Sequence, residues 1–217
     1  MNSIQLQRTT SICYVPFVPS RNIYKTDAPD AYYHVYARGV SRQSIFNSPE
    51  DYYFFVSLFD RYLSSESRKN SVGIPYPQFT EKIELLAYCL MGNHFHMLIY
   101  QIKTRAMTEL MRCVMTSYSG YFNFKYKRSG PLFESRYKAS EMYLQHISRY
   151  IHLNPRYWKR YPYSSFAHYV RGREPDWLVT EPILGMFASR RESATFVADY
   201  EENKLILEEI KHTLADW

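Results

Sequence analysis

The sequence predicts an α/β sandwich: a central, mostly antiparallel sheet flanked by helices, followed by a small helical extension at the C-terminus. Three observations carry that expectation. Two apolar, β-compatible runs, Ile83 to Leu90 and His94 to Tyr100, are separated only by Met91-Gly92-Asn93 and read as a hairpin of central strands. On either side of this hairpin lies a stretch with apolar residues at helical spacing. Strand-like runs come before the first helix and after the second, and a third helix follows, so the order is β-α-β-β-α-β-α.

Each element has a local reason. Residues 1–30 hold Pro16, Pro19 and Pro29 among polar flanks and read as an irregular arm. Ala31 to Gly39 is aromatic and β-prone and ends in glycine, so it reads as a strand. Ser48-Pro49-Glu50-Asp51 is a helix start, and Phe54, Phe55, Leu58, Phe59 and Tyr62 give its apolar face. A polar loop then runs to about Thr80. After the hairpin, Leu110, Met111, Val114, Met115, Tyr118 and Phe122 mark a long helix, with Thr108 as its expected cap and Gly130-Pro131 beyond its end. Leu132 to Lys138 reads as a short strand. Ser140 is expected to open a helix that runs through Tyr143, Ile147 and Tyr150 and stops before Pro155. In the tail, Glu181 to Ala188 and Glu192 to Lys211 are helical in pattern. The chain therefore divides into an arm (1–30), a body (31–173) and an extension (174–217).

With 217 residues, 46% of them apolar, and only 7 Gly against 11 Pro, the chain is sized for one globular core and is neither fibrous nor low-complexity. The net charge of +6 conceals an asymmetry: residues 1–173 carry 23 basic and 11 acidic side chains, residues 174–217 carry 4 and 10. The basic surplus is densest in residues 103–173, where 14 basic side chains face Glu109, Glu134 and Glu141 alone, so a polyanion is the expected partner. Cys13, Cys89 and Cys113 are widely spaced and suggest neither a zinc ribbon nor a disulfide framework, which fits a reducing compartment. No signal peptide is evident and no run approaches the roughly 18 apolar residues of a membrane span, so the expected location is cytoplasmic, at the nucleoid, with no membrane partner.

Three patterns suggest chemistry. His94-Phe95-His96 on a strand points both imidazoles to one face, about 7 Å apart along the backbone, where they can converge on a divalent ion. Two half-buried sheet histidines are the plainer reading. Tyr150 and Asn154 are four apart on a helix and share a face, placing a phenol and a carboxamide together; Asn154 before Pro155 also reads as a simple helix stop. His146 lies one turn before Tyr150 and reads as a helix-surface histidine. Between Tyr118 and Lys138, aromatic residues alternate with cations, as single-stranded nucleic acid requires, although the same pattern describes a helix whose Lys125, Lys127 and Arg128 meet the negative end of its dipole.

Four motifs in order then resemble a known family. They are His34-Val35-x-x-Arg38-Gly39 with Ile45-Phe46; Met91-Gly92-Asn93-His94-Phe95-His96-Met97-Leu98-Ile99; Arg128-Ser129-Gly130-Pro131-Leu132-Phe133-Glu134-Ser135-Arg136-Tyr137-Lys138; and Arg149-Tyr150-Ile151-His152-Leu153-Asn154-Pro155 with Tyr161-Pro162-Tyr163-Ser164-Ser165. The chain resembles the HUH-type tyrosine transposases of small insertion sequences, most closely the REP-associated tyrosine transposases, over about residues 31–166.

The resemblance implies a ferredoxin-like HUH endonuclease fold and a metal-dependent enzyme that nicks and rejoins hairpin-bearing single-stranded DNA, as a monomer or homodimer. It implies Tyr150 as nucleophile, His94 and His96 as ligands of Mg or Mn, and Asn154 at the third ligand position. Many relatives carry Gln there, one methylene longer. Arg38, Lys127, Arg128, Arg136 and Lys138 are the expected DNA backbone contacts. Two other readings compete: a catalytically silent, transposase-derived DNA-binding regulator, and a metal-dependent hydrolase of small phosphoesters.

Overall fold

A computed structural model describes residues 28–135, 137–141 and 144–199, with the backbone alone at 138, 140, 141 and 145. Its secondary structure follows the expected order. Strand β1 (Ala31–Arg38) leads to helix α1 (Pro49–Leu63), the hairpin β2 (Ile83–Met91) and β3 (His94–Gln101), helix α2 (Ala106–Lys125), strand β4 (Lys138–Glu141) and helix α3 (Leu144–Leu153). Short helices α4 (Phe166–Arg171), α5 (Glu181–Leu184) and α6 (Arg190–Ala198) follow.

The sheet order is β2-β3-β1-β4 with every neighbouring pair antiparallel. Two interleaved split βαβ units generate that order, which makes the fold ferredoxin-like, as the resemblance implies. Because successive strand residues face opposite ways, the sheet separates two cores. On one face Val35, Phe95, Met97 and Ile99 pack against Phe55, Leu58 and Phe59 of α1 and Leu110, Met111, Val114 and Tyr118 of α2. On the other face Leu86, Ala87, Cys89 and Leu98 pack against Ile147 and Ile151 of α3, Tyr169 of α4 and Ile183 and Leu184 of α5. A bulge between Leu85 and Ala87 interrupts the β2–β3 pairing, and the Tyr169 hydroxyl donates 2.6 Å to the Leu86 carbonyl there.

The outer edge of β2 is covered by later chain. Leu90 N–H donates to Tyr163, Ser165 N–H to Tyr88, and Val179 N–H to Leu85, so the strand presents no open ladder. Trp177, beside this cover, packs against Phe59 and Tyr88 in the first core.

Helix α1 begins as expected, with Ser48 and Asp51 forming a reciprocal capping box ahead of Pro49. Three local expectations are corrected. Thr108 lies inside α2 and its hydroxyl bonds the Tyr137 hydroxyl at 2.7 Å; the helix start is closed by the Gln101 carboxamide, which accepts from Met107 N–H at 2.8 Å. The strand expected over 132–138 begins only at Lys138, because Leu132 and Phe133 are buried as loop residues, Phe133 making a single bridge to Gly39. Ser140 consequently sits in β4, and α3 opens at Leu144. The second tail helix is α6 up to Ala198; its expected continuation to Lys211, together with residues 1–27 of the arm, Arg136 and Tyr143, lies outside the described residues.

Candidate active site

The middle strands β1 and β3 place two rows of side chains on the α3 face. His34, Tyr36 and Arg38 alternate along β1, and His94, His96 and Leu98 along β3. The register sets Tyr36 opposite His96, Arg38 opposite His94 and His34 opposite Leu98. Gly39 then lets the chain turn sharply: a Cβ there would overlap the Gln43 carbonyl and press on Ile45 Cγ2 at 2.8 Å. That turn pins the loop to the hairpin through Gly39 N–H to Asn93 and Ile45 N–H to Gly92, so Arg38 and His94 meet at one end of the sheet.

Helix α3 brings the phenol. Ile147 and Ile151 bury against β2 and β3, which turns Tyr150, on the same helix, toward the histidines. Its ring lies edge-on, 5.4 Å from His96 and 5.8 Å from His34, and the rings of His94 and His96 are 4.9 Å apart. Asn154 closes the site: its Nδ2 donates 3.1 Å to the Tyr150 carbonyl, and its carboxamide acts on both His94 and the Tyr150 hydroxyl. The structure thus brings together His94, His96, Tyr150, Asn154 and Arg38.

Burial dominates the electrostatics. It pushes the His94 imidazole down to about 4, with Arg38 acting the same way and Asn154 against it. His96 is held well below its ordinary value by burial, then by His34, His94 and Arg38, and His34 is lowered to about 3 by burial. All three rings are therefore neutral at physiological pH, the form that binds a metal. Burial raises the Tyr150 phenol above its ordinary value, while Asn154 and Arg38 pull it back. Tyr36 is raised to about 12 by burial and then by Tyr150, with Arg38 opposing. His146 is lowered by burial and by Arg149.

Among the described residues no three His, Cys, Asp or Glu side chains group to hold a metal ion. The donor set on this face is two neutral imidazoles and one carboxamide, which suits a divalent ion completed by water and phosphate oxygens. Mg or Mn fits it.

Of the expected DNA contacts, Lys127 is exposed with a left-handed backbone (φ 51°) just past α2. Arg128 donates to Asn123 Oδ1 and Gln43 Oε1, each at 3.2 Å, both neutral partners. The backbone of Lys138 opens β4 beside Tyr36. Two site-facing residues had no role assigned from the sequence, His34 and Tyr36. The alternation His34-x-Tyr36-x-Arg38 puts all three on one face, a signal that was available once Arg38 had been singled out.

The class that the fold and site define is a ferredoxin-like sheet with paired histidines on a central strand and a tyrosine on the opposing helix. Comparison with known proteins finds a family likeness over part of the chain. Residues 77–154, from before the hairpin to Asn154, match the family model described as "Transposase IS200 like", so the resemblance of the motifs to small insertion-sequence transposases is shown across the segment that carries His94, His96, Tyr150 and Asn154. A solved structure of a REP-associated tyrosine transposase bound to a REP hairpin matches with a TM-score of 0.49 at 14% identity, over 73% of this chain and 91% of that one. No curated protein matches the chain in sequence. Among the described residues no helix is long and apolar enough to cross a membrane.

Proposed function

We propose that this protein is a divalent-metal-dependent transposase that nicks and rejoins hairpin-bearing single-stranded DNA through a 5′-phosphotyrosine on Tyr150. The observation that carries the reading is the convergence of Tyr150, His94, His96 and Asn154 on one face within a segment matched by the transposase family model. His94, His96 and Asn154 would hold Mg or Mn, which when bound supplies Lewis-acid polarisation of the scissile phosphate. Tyr150 Oη attacks phosphorus in line with the 3′ oxygen. The Oη–P bond forms, the P–O3′ bond breaks, the phenolic proton is released and the departing 3′ oxygen takes one up. Attack by a second 3′-OH reverses the step and joins a new strand with no external energy source, because the phosphotyrosyl ester retains the energy of the original linkage.

Arg38 lowers the proton affinity of the buried phenol, and its guanidinium is placed to meet a phosphate at the same end of the sheet. Lys127, Arg128, Arg136 and Lys138 are the further backbone contacts of this reading.

The test is to incubate the protein with labelled single-stranded DNA containing hairpins from the region flanking its own gene, with Mg or Mn, and to look for an SDS-resistant adduct. Wild type should form it only with metal, and Tyr150→Phe should abolish it while still binding DNA. Tight binding by wild type with no adduct under either metal would replace this reading with that of a DNA-binding regulator.

A further inference from the structure

A histidine can serve a metal only if the nitrogen it offers is bare, so the partner of the other nitrogen decides what the ring can do. For His94 that partner is Asn93. The Asn93 Nδ2 donates to the Arg42 carbonyl at 3.2 Å, which turns its Oδ1 toward His94 Nδ1 at 2.6 Å. A carbonyl oxygen only accepts, so His94 carries its proton on Nδ1 and leaves Nε2 bare.

His96 has a partner at the same nitrogen, the ring of His34. His96 Nδ1 and His34 Nε2 are 2.8 Å apart and share one hydrogen, with the rings stacked at 5.0 Å and 15°. His34 has no solvent exposure and is packed against the rings of Tyr36, His96 and Tyr150. Its remaining nitrogen, Nδ1, is buried with no hydrogen-bond partner among the described residues. An apolar ring could fill the same space, so what a histidine adds at this position is its bond to His96.

The geometry points to His34 and Asn93 as positioning residues that occupy the Nδ1 atoms of His96 and His94, so that both rings present Nε2 to one divalent cation. This rests on the metal-dependent reading above and adds to it the two residues that fix which nitrogen of each ligand faces the ion.

The test uses the full chain and Mn alone, read as free Mn by electron paramagnetic resonance. His34→Phe keeps the ring stack and removes the acceptor; His34→Gln returns an acceptor at a similar reach. His34→Phe should weaken Mn binding about 10- to 100-fold with no loss of thermal stability, and His34→Gln should stay within about threefold of wild type. Asn93→Ala should weaken it likewise, with Asn93→Asp restoring the acceptor. Long-range proton–nitrogen spectra of the metal-free wild type should place the protons of His94 and His96 on Nδ1.

Wild-type Mn affinity in His34→Phe, or a His96 proton on Nε2, would overturn the role of His34. Should His34→Phe not fold, the wild-type spectrum decides the question. A wild type that takes up no Mn overturns the metal reading itself and this role with it. That result is distinct from failure of the positioning role alone, in which wild type and His34→Phe bind Mn equally.

Discussion

Arg38 is the residue whose charge reaches most of the site. It lowers the proton affinity of His94, His96, Tyr150 and Tyr36 together. Its neighbour Glu134 lies 3.9 Å away with both side chains more than a third exposed, so the pair is screened by solvent and leaves the guanidinium available to a phosphate. In the proposed reaction the phenolate is the attacking form, so removing this cation should raise the pKa of Tyr150 and move the pH-dependent rise in adduct formation to higher pH. Arg38→Gln should slow adduct formation at neutral pH about tenfold, the loss expected for one charge-assisted contact made in the transition state. The pH profile of adduct formation decides it: an unmoved profile with weakened DNA binding would reduce Arg38 to a backbone contact. At this scale the shared face of His94 and His96 on a strand and of Tyr150 and Asn154 on a helix was legible in the sequence, because period two and period four are local geometry, while their expected roles came from the family resemblance alone. The pairing of His34 with His96 was not, since it runs diagonally between β1 and β3 and depends on a register that no local pattern states.

Asp51 is where two elements are joined. It caps α1 by accepting from Asn47 N–H at 2.8 Å and Ser48 N–H at 3.1 Å, and on the α2 side it takes the Lys125 ammonium at 2.7 Å and the hydroxyls of Tyr121 and Tyr126. Burial alone would raise its proton affinity, but Lys125, Asn47, Tyr126 and Ser48 outweigh it and hold the carboxyl below its ordinary value. A lowered folded-state pKa means that this contribution is complete above the unfolded value, about 3.9, and is lost as pH falls through the folded one. Asp51→Asn should therefore cost about 1–3 kcal/mol at neutral pH, and the gap to wild type should narrow at about pH 3. Denaturant unfolding at the two pH values measures both; a wild-type midpoint at neutral pH would show that the carboxylate does not hold α1 to α2. The start of α1 was readable because Ser48 to Asp51 is a self-contained signal. The start of β4 was not: Leu132, Phe133 and Tyr137 are apolar and aromatic like a strand, yet they are buried by the loop's own packing, and only the pairing of Tyr33 to Tyr36 with 138–141 fixes where the strand begins.

Over the whole molecule, the asymmetry of charge and the loops at one end of the sheet point the same way. Both faces of the sheet are covered by helices and the β2 edge by residues 163–165 and 178–179, whereas the loops after β1, between β2 and β3, and after α2 meet beyond Arg38 and His94. Asn93 to Arg42 and Arg128 to Gln43 tie these loops together, and they carry Arg38, Arg42, Lys127 and Arg128. A polyanion drawn by the surplus of 12 positive charges in residues 1–173 would meet the molecule at the end where Tyr150 stands. Lys127 offers a clean test of that convergence, because it is exposed and its φ of 51° is a conformation in which a lysine is strained and a glycine is not. Lys127→Gly should make the dependence of DNA binding on salt shallower by about one charge in a plot of log affinity against log salt. The same change should leave stability unaltered or raise it by up to about 1 kcal/mol, the easing of backbone strain offsetting the greater freedom of the unfolded chain. A shallower salt dependence with no loss of stability cannot come from misfolding. A slope equal to that of wild type would place the DNA path away from the end of α2, and with it away from the loops that lead to Arg38.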